Sequence, residues 1–259
     1  EVTSETDQVG EMEESRSDSM ETKKVDDLVD VKTNEDNSVA LAVVGQKSNN
    51  KYYNYLDLQE FYYNYQQDSY EFKVGFDTTF WGVAESYNPV DIINQKNNLS
   101  STNKAKLSEM MFALNYFFDE DSIEVLYLPY FREQKFTTFD VGQTTFEDKT
   151  PAFALKYKGI IDTIDYGVSY FKGIDRSPSI SFVNVHEANT HYNNVEQLGV
   201  DVQLTTENIL WKLEYAHKKY TRDSDDVFVA GFEYLLGSEI EANILVEVLR
   251  NTNAQHIFA

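Results

Sequence analysis

The stretch YEFKVGFDTTFW, residues 70–81, decides the fold class of this 259-residue chain. Mostly apolar side chains recur at every second position on one face: Tyr70, Phe72, Val74, Phe76, Thr78 and Phe80. The opposite face holds Glu71, Lys73, Gly75, Asp77 and Thr79. Successive side chains of a β-strand point to opposite faces, so the stretch predicts a strand with one apolar and one polar face.

The same period of two continues along most of the chain. It is clear in 198–205, 209–216, 228–236 and 242–248, and less regular in 52–65, 109–118, 122–131, 151–158 and 163–171. The apolar run Val39–Val44 adds one more strand, and Glu60 on the apolar face of 52–65 indicates a bulge. We therefore predict an all-β fold, an antiparallel up-and-down meander of about 10–11 strands.

The connections between these strands alternate in length. Short connections lie at 66–69, 119–121, 159–162, 207–208 and 237–239, and longer ones at 82–108, 132–150, 172–195 and 220–226. Outer-membrane barrels have short periplasmic turns and long extracellular loops, and about 9–11 residues of tilted strand cross a bilayer. This pattern predicts an outer-membrane β-barrel, located in the bacterial outer membrane.

A soluble or secreted β-barrel that binds a small apolar ligand is the alternative, because alternation alone does not say which face is inside. Aromatic residues near strand ends favour the membrane form, since they match interfacial girdles. The glycines and amides on the polar faces and the long loops point the same way.

Charge and composition separate the N-terminal segment from the rest. The chain has 44 acidic and 22 basic residues, a net charge of −22, and no cysteine. Residues 1–36 are predicted to be an acidic disordered or weakly helical segment, including a short charged helix from Met20 to Val31, and residues 37–259 a transmembrane β-barrel. A charge this negative excludes a broad nucleic-acid surface.

The number of strands predicts an incomplete barrel. Single-chain bacterial barrels have an even number of strands with both termini on the periplasmic side. The strand at 240–250 would instead end on the extracellular side. We therefore expect an open sheet with an unpaired edge at 240–250, and a fragment that lacks at least one strand at its C-terminus.

A family resemblance begins at Phe80. The stretch Phe80-Trp81-Gly82-Val83-Ala84-Glu85-Ser86, followed by Asn88-Pro89-Val90-Asp91, resembles an element of certain Gram-negative outer-membrane barrels. Three later stretches also resemble that group, namely 151–155, 170–178 and 229–234. The family is the porin-like group related to alginate-export porins, and the resemblance covers about residues 52–250.

The resemblance implies an outer-membrane channel and no particular solute. It also implies that Trp81, Asn88, Pro89 and Asp91 lie at the pore mouth. By its residues alone, the Asn-Pro-x-Asp stretch is equally well a plain turn, because proline fixes the backbone and aspartate caps the residues after it.

The polar faces define the predicted lumen. If the apolar faces meet lipid, the pore-lining residues are Glu71, Lys73, Asp77, Asp201, Gln203, Lys212, Glu214, Glu233 and Glu247. Six carboxylates against two amines predict a weak cation preference, unless the charges pair across strands and only stabilise the wall.

Candidate catalytic chemistry is sparse. The pair His186 and His191 is five residues apart, whereas the helical zinc motif needs four, and no nucleophile elbow or phosphate loop occurs. We therefore expect no catalytic residues, no metal, no cofactor and no enzymatic activity. The predicted function is passive or selective passage of small solutes, with outer-membrane lipid and small solutes as partners. The oligomeric state is not predicted.

Overall fold

The computed structural model describes residues 31–34, 37–47, 54–97, 106–136, 138–235 and 243–251, which form fifteen strands. The first six are β1 (Val31–Asn34), β2 (Asn37–Lys47), β3 (Asn54–Gln67), β4 (Tyr70–Asp77), β5 (Glu109–Phe118) and β6 (Asp121–Leu128). The next five are β7 (Asp140–Phe146), β8 (Ala152–Ile161), β9 (Ile164–Ile174), β10 (Ser179–Phe182) and β11 (Glu187–Tyr192). The last four are β12 (Asn194–Thr205), β13 (Ile209–Lys219), β14 (Ser224–Leu235) and β15 (Asn243–Asn251).

Twelve of these strands form one antiparallel meander in the order β1-β2-β3-β4-β5-β6-β8-β9-β12-β13-β14-β15. Among the described strands the sheet is not closed, because β1 and β15 are its two edges. The predicted open sheet with 240–250 at an edge is therefore confirmed. The remaining three strands form a small sheet in the order β10-β11-β7, in which β11 and β7 run parallel.

The tight turns at one end of the sheet have a common construction. Asp68, Asp119 and Asp162 each begin a two-residue turn between antiparallel neighbours and have φ values of 27°, 52° and 54°. Hairpins of this length favour turns with positive φ, and aspartate tolerates that region better than most residues. The long connections all lie at the opposite end, as the sequence predicts.

The two faces of the large sheet differ in the sense expected of a membrane barrel. On the outer face, Leu198, Trp211 and Leu213 are 53%, 45% and 38% exposed. On the inner face, Lys156, Asp201 and Glu214 are buried. A soluble barrel would have an apolar interior and a polar exterior, so the soluble alternative is wrong.

No helix among the described residues is long and apolar enough to cross a membrane.

The structure differs from the predicted strands in three respects. The strand predicted for 70–81 ends at Asp77, because the Asp77 side chain accepts a hydrogen bond from the Thr78 N–H (2.8 Å) and the chain leaves the sheet. β7, β10 and β11 lie in predicted loops, where short strands pair with each other. β1 lies inside the segment predicted to lack strands.

The predicted bulge is present, because Ala42 pairs with Glu60 and Val43 with Leu58, which leaves Gln59 as the extra residue. Residues 1–30, including most of the predicted helix at 20–31, lie outside the described residues.

The hydrophobic core lies between the inner face of the sheet and residues 78–97, which we call the inward loop. Trp81, Val90, Ile92 and Ile93 of this loop are almost completely buried. They pack on inner-face side chains of the wall: Met111, Ala113, Leu126, Leu128, Ala152, Ala154, Phe171 and Val195. Full burial of one such large side chain contributes about 1.5–3 kcal/mol, so the apolar contact holds the loop against the wall.

Candidate functional site: the lumen and the inward loop

The inward loop enters the barrel through a turn at Gly82. Gly82 has φ +92°, a conformation that residues with a Cβ rarely adopt. A Cβ at this position would also overlap the side chains of Asn88 and Glu214. Glycine is therefore required where the loop approaches the wall.

The Asn-Pro-x-Asp stretch fixes the shape of the loop. The Asn88 side chain donates to the Trp81 carbonyl (2.6 Å) and accepts from the Asp91 N–H (3.0 Å). Asp91 Oδ1 in turn accepts from Lys106 Nζ (2.5 Å), and Pro89 is buried. Burial lowers the pKa of Lys106, although its ion pair with Asp91 opposes that shift.

Two carboxylates of the wall hold the backbone of the loop. Glu214 of β13 accepts from the N–H groups of Val83 (2.5 Å), Ala84 (2.5 Å) and Val90 (3.4 Å). Glu247 of β15 accepts from two further backbone N–H groups, those of residues 85 (2.8 Å) and 86 (2.7 Å). Hydrogen bonds to an ionised acceptor are stronger than neutral ones, so five backbone donors are satisfied by two charges.

Side chains from three further parts of the wall complete the attachment. Trp81 Nε1 donates to Glu124 of β6 (2.7 Å), and Gln197 of β12 donates to the Val90 carbonyl (3.1 Å). Arg176, after β9, donates to the Ile93 carbonyl (2.6 and 2.8 Å) and to Glu109 (3.0 Å). Because β6, β12, β13 and β15 all bond to the loop, the inner face curves around it.

The loop lies deeper than the predicted pore mouth. Glu124 is the fourth of eight residues in β6, and Glu214 is the sixth of eleven in β13. These are the partners of Trp81 and of residues 83, 84 and 90, so this part of the loop is halfway along the wall. The four predicted mouth residues hold the loop in its shape, and a role in passage remains a prediction for them.

All nine predicted pore-lining residues belong to strands of the wall, and most of their charges have partners. Lys73 pairs with Asp77 (2.8 Å), Asp201 with Lys156 (2.5 Å) and Lys212 with Glu233 (3.3 Å). Glu71 accepts from Asn115 (3.0 Å), and Gln203 donates to Asp165 (3.4 Å).

The predicted six-to-two charge count covers only part of the charged groups of the wall, since Lys156, Glu124 and Asp165 lie there as well. Glu214 and Glu247 are occupied by backbone donors of the loop, and the cation preference stays a prediction.

Sequence reasoning missed several residues that attach the loop, above all Glu124, Gln197 and Arg176. One signal was available: small residues at inner-face positions of neighbouring strands, such as Ala113, Ala154 and Gly199, leave room for a segment packed against the wall. A Cβ at Gly199 would meet Val90 of the loop at 3.1 Å. Among the described residues, no group of three or more His, Asp or Glu could hold a metal ion.

The described fold is that of outer-membrane β-barrel proteins. A solved structure of a loop-deletion mutant of OmpT, an outer membrane protein of Vibrio cholerae, matches with a TM-score of 0.54 at 10% identity, over 84% of this chain and 69% of that one. In-vitro folded OmpT of the same organism matches with a TM-score of 0.49 at 11% identity, over 81% of this chain and 62% of that one. No protein-family model and no curated protein matches the chain.

The similarity agrees with a Gram-negative outer-membrane β-barrel and with the predicted location, whereas the narrower relation to alginate-export porins is not supported. The prediction that the chain is not an enzyme does not stand. The likeness to OmpT is one of fold, and one fold carries many unrelated activities, so a barrel of this type leaves catalysis open.

Proposed function

We propose that the protein is an outer-membrane channel for small hydrophilic solutes, in which the inward loop narrows the lumen. The observation that carries the proposal is the combination of an apolar outer face with a charged inner face on which a loop is anchored halfway along the wall. The apolar side chains of the inner face pack against the inward loop, and the charged side chains beside them suit a lumen that holds water.

The test is conductance of the purified protein in a planar bilayer. We expect discrete steps for the natural chain and larger steps when residues 83–93 are replaced by a short Gly-Ser linker, because the narrowing segment is then removed. The double variant V183S/V185S, altered far from the lumen in an extracellular turn, is the control and should conduct like the natural chain. Absence of any conductance from correctly folded protein would refute the channel.

A weak cation preference is part of the same proposal. It rests on Glu71, a carboxylate of the wall whose hydrogen-bond partner Asn115 is a neutral amide, together with the net charge of −22. The reversal potential in a salt gradient measures this preference. E71Q should reduce it, and E196Q on the outer face should not; an anion preference of the natural chain would overturn this part.

A further inference from the structure

A cavity of about 320 Å³ lies on the inner side of the wall, between the inward loop and the end of the sheet with the long connections. Three strands of the wall line it near that end, with Lys218 of β13, Asp225 of β14 and Asn251 of β15. The inward loop contributes Tyr87 and Lys96. We call this space the entrance cavity, because a solute that enters the lumen from the extracellular side meets it before it reaches the middle of the wall.

Three aromatic rings give the entrance cavity an apolar surface. Tyr87 belongs to the inward loop, Phe136 to the β6–β7 connection and Tyr220 to the turn between β13 and β14. Phe139 stacks on Phe136, with ring centroids 4.6 Å apart, and this contact holds the Phe136 ring in place. The Tyr220 ring is held by the hydrogen bond from its hydroxyl to Asp175 (2.6 Å). Ordered rings lose little entropy on binding, and the negative face of an aromatic ring attracts the C–H groups of a ligand.

The polar part of the lining holds hydrogen-bonding groups that the protein does not use. No described residue bonds to the ammonium group of Lys218 or to the side-chain amide of Gln134. The carboxylate of Asp175, in contrast, already accepts from the Tyr220 hydroxyl (2.6 Å) and from the Ser177 N–H (3.1 Å). An ammonium group donates only, whereas an amide both donates and accepts. A ligand that does both therefore finds unused partners here.

The charges of the lining balance each other. It holds two amines, Lys96 and Lys218, and two carboxylates, Asp175 and Asp225. An anion in the cavity is repelled by the carboxylates, and a cation is repelled by the amines, so neither sign is favoured overall. A neutral ligand with several hydroxyl groups gains hydrogen bonds from the same side chains without this repulsion.

A neutral hexose combines the properties that this lining asks for. It carries C–H groups on the faces of its ring and hydroxyl groups around the edge, and each hydroxyl both donates and accepts. Pockets for small molecules begin at about 300 Å³, so a cavity of this size holds one small ligand. We propose that the entrance cavity binds a neutral hexose. The proposal rests on the proposed channel function only in making this sugar a solute that passes the loop.

Saturation-transfer NMR of the folded protein, in a detergent without a sugar headgroup, tests the proposal. The probes are three neutral hexoses (glucose, galactose and mannose), the anion gluconate and the cation glucosamine. We expect at least one neutral hexose to bind with a Kd in the millimolar range, as suits so small a ligand. The C–H protons on its ring face should receive the most saturation, because they contact the aromatic rings. Gluconate and glucosamine should bind no more tightly.

Two variants separate the two kinds of contact. F136A removes a ring and K218M removes an unused donor, and each should raise the Kd of the hexose about threefold to tenfold. Y130A is the matched control: Tyr130 is 72% exposed in the same connection as Phe136 but does not line the cavity, so this variant should bind like the natural chain. Heat-modifiable migration on a gel verifies that each variant is folded.

Three results would each overturn the proposal: no binding of any of the three hexoses up to about 100 mM, tighter binding of gluconate or glucosamine, or an unchanged Kd in both F136A and K218M. Binding is measured without any current, so the two proposals fail separately. A protein that conducts but binds no hexose refutes only the sugar site, and a protein that binds a hexose but never conducts refutes only the channel.

Discussion

The carboxylate of Glu214 holds three backbone N–H groups of the inward loop from a single position on β13. It is also almost completely buried, so water does not compete for its oxygens. A buried carboxylate with several donors is stabilised only as long as all of them stay in place. The main role of the Glu214 carboxylate is therefore to attach the inward loop to the wall.

Replacing Glu214 with glutamine should loosen the loop without disrupting the sheet. The charge-assisted bonds become neutral ones, a loss of about 1–3 kcal/mol of loop attachment. In a W211F background, the remaining Trp81 should then emit at longer wavelength because water reaches it. E196Q, which removes a carboxylate of an exposed ion pair on the outer face, should leave the emission unchanged; equal shifts in both variants would contradict the assignment.

The buried hydroxyl of Tyr220 should make the stability of the folded protein depend on pH in the alkaline range. Burial, followed by the charge of its hydrogen-bond partner Asp175 (2.6 Å), raises the pKa of Tyr220 above its ordinary value of 10.0. The folded state holds the proton more tightly, so this stabilisation is complete below pH 10 and is lost as pH rises towards the folded pKa.

Urea unfolding between pH 9 and 11 should show a smaller fall in stability for Y220F than for the natural chain, together with a loss of about 1.5–3 kcal/mol at neutral pH. Y215F removes a bond of the same length to Asp226, but at an exposed site, and should cost much less. An unchanged pH slope in Y220F would count against this role.

At the scale of an element, the inward loop is the part of the chain that gives the barrel a core. Its apolar side chains pack on alanines and leucines of the wall, and its backbone is held by charges of β13 and β15. The loop is therefore fixed by two different kinds of contact, and Gly82 allows both by letting the backbone turn close to Glu214.

The two tryptophans of the chain provide a matched test of this packing. Trp81 is 1% exposed between loop and wall, whereas Trp211 is 45% exposed on the outer face. W81A should lower the free energy of unfolding by about 3–5 kcal/mol because it leaves a cavity. W211A should lower it far less, since lipid or detergent fills the space; equal losses in urea unfolding would show that the loop is not part of the core.

At the scale of the whole molecule, the large sheet is inverted relative to a soluble protein. Outer-face side chains such as Leu198 and Leu213 are exposed, and charged side chains are buried against the loop. Lipid is the environment in which such an outer face is stable, because it removes the apolar surface from water. The described sheet also has two edge strands, β1 and β15, which do not pair with each other.

An arginine at Leu213, the fifth of eleven residues in β13, tests the membrane face. At the bilayer midplane it should cost about 2–4 kcal/mol and reduce the folded yield in lipid vesicles, measured by heat-modifiable migration. V185R is the control: Val185 is more exposed than Leu213 but lies in the turn between β10 and β11, outside the strands of the large sheet, so the variant should fold into vesicles normally. A normal yield for L213R would place β13 outside the bilayer.

Period-two alternation and the lengths of the connections by themselves determined the meander, its polarity and the polar face of each strand. These are local properties, because a strand sets the direction of each side chain and a tight turn sets the next strand. For the same reason, the residues predicted to face the lumen lie on strands of the wall. The bulge is at Gln59, next to Glu60, the residue that indicated it in the sequence.

Only the tertiary structure decided how residues far apart in the chain meet. The bonds from Val83 to Glu214 and from Ser86 to Glu247 join positions more than a hundred residues apart. No periodicity encodes such pairs, since they depend on where a folded loop reaches a curved wall. The same holds for the charges of the lumen: a count along the sequence gives the carboxylates and amines, but their partners, such as Lys156 for Asp201, are set by contacts in three dimensions.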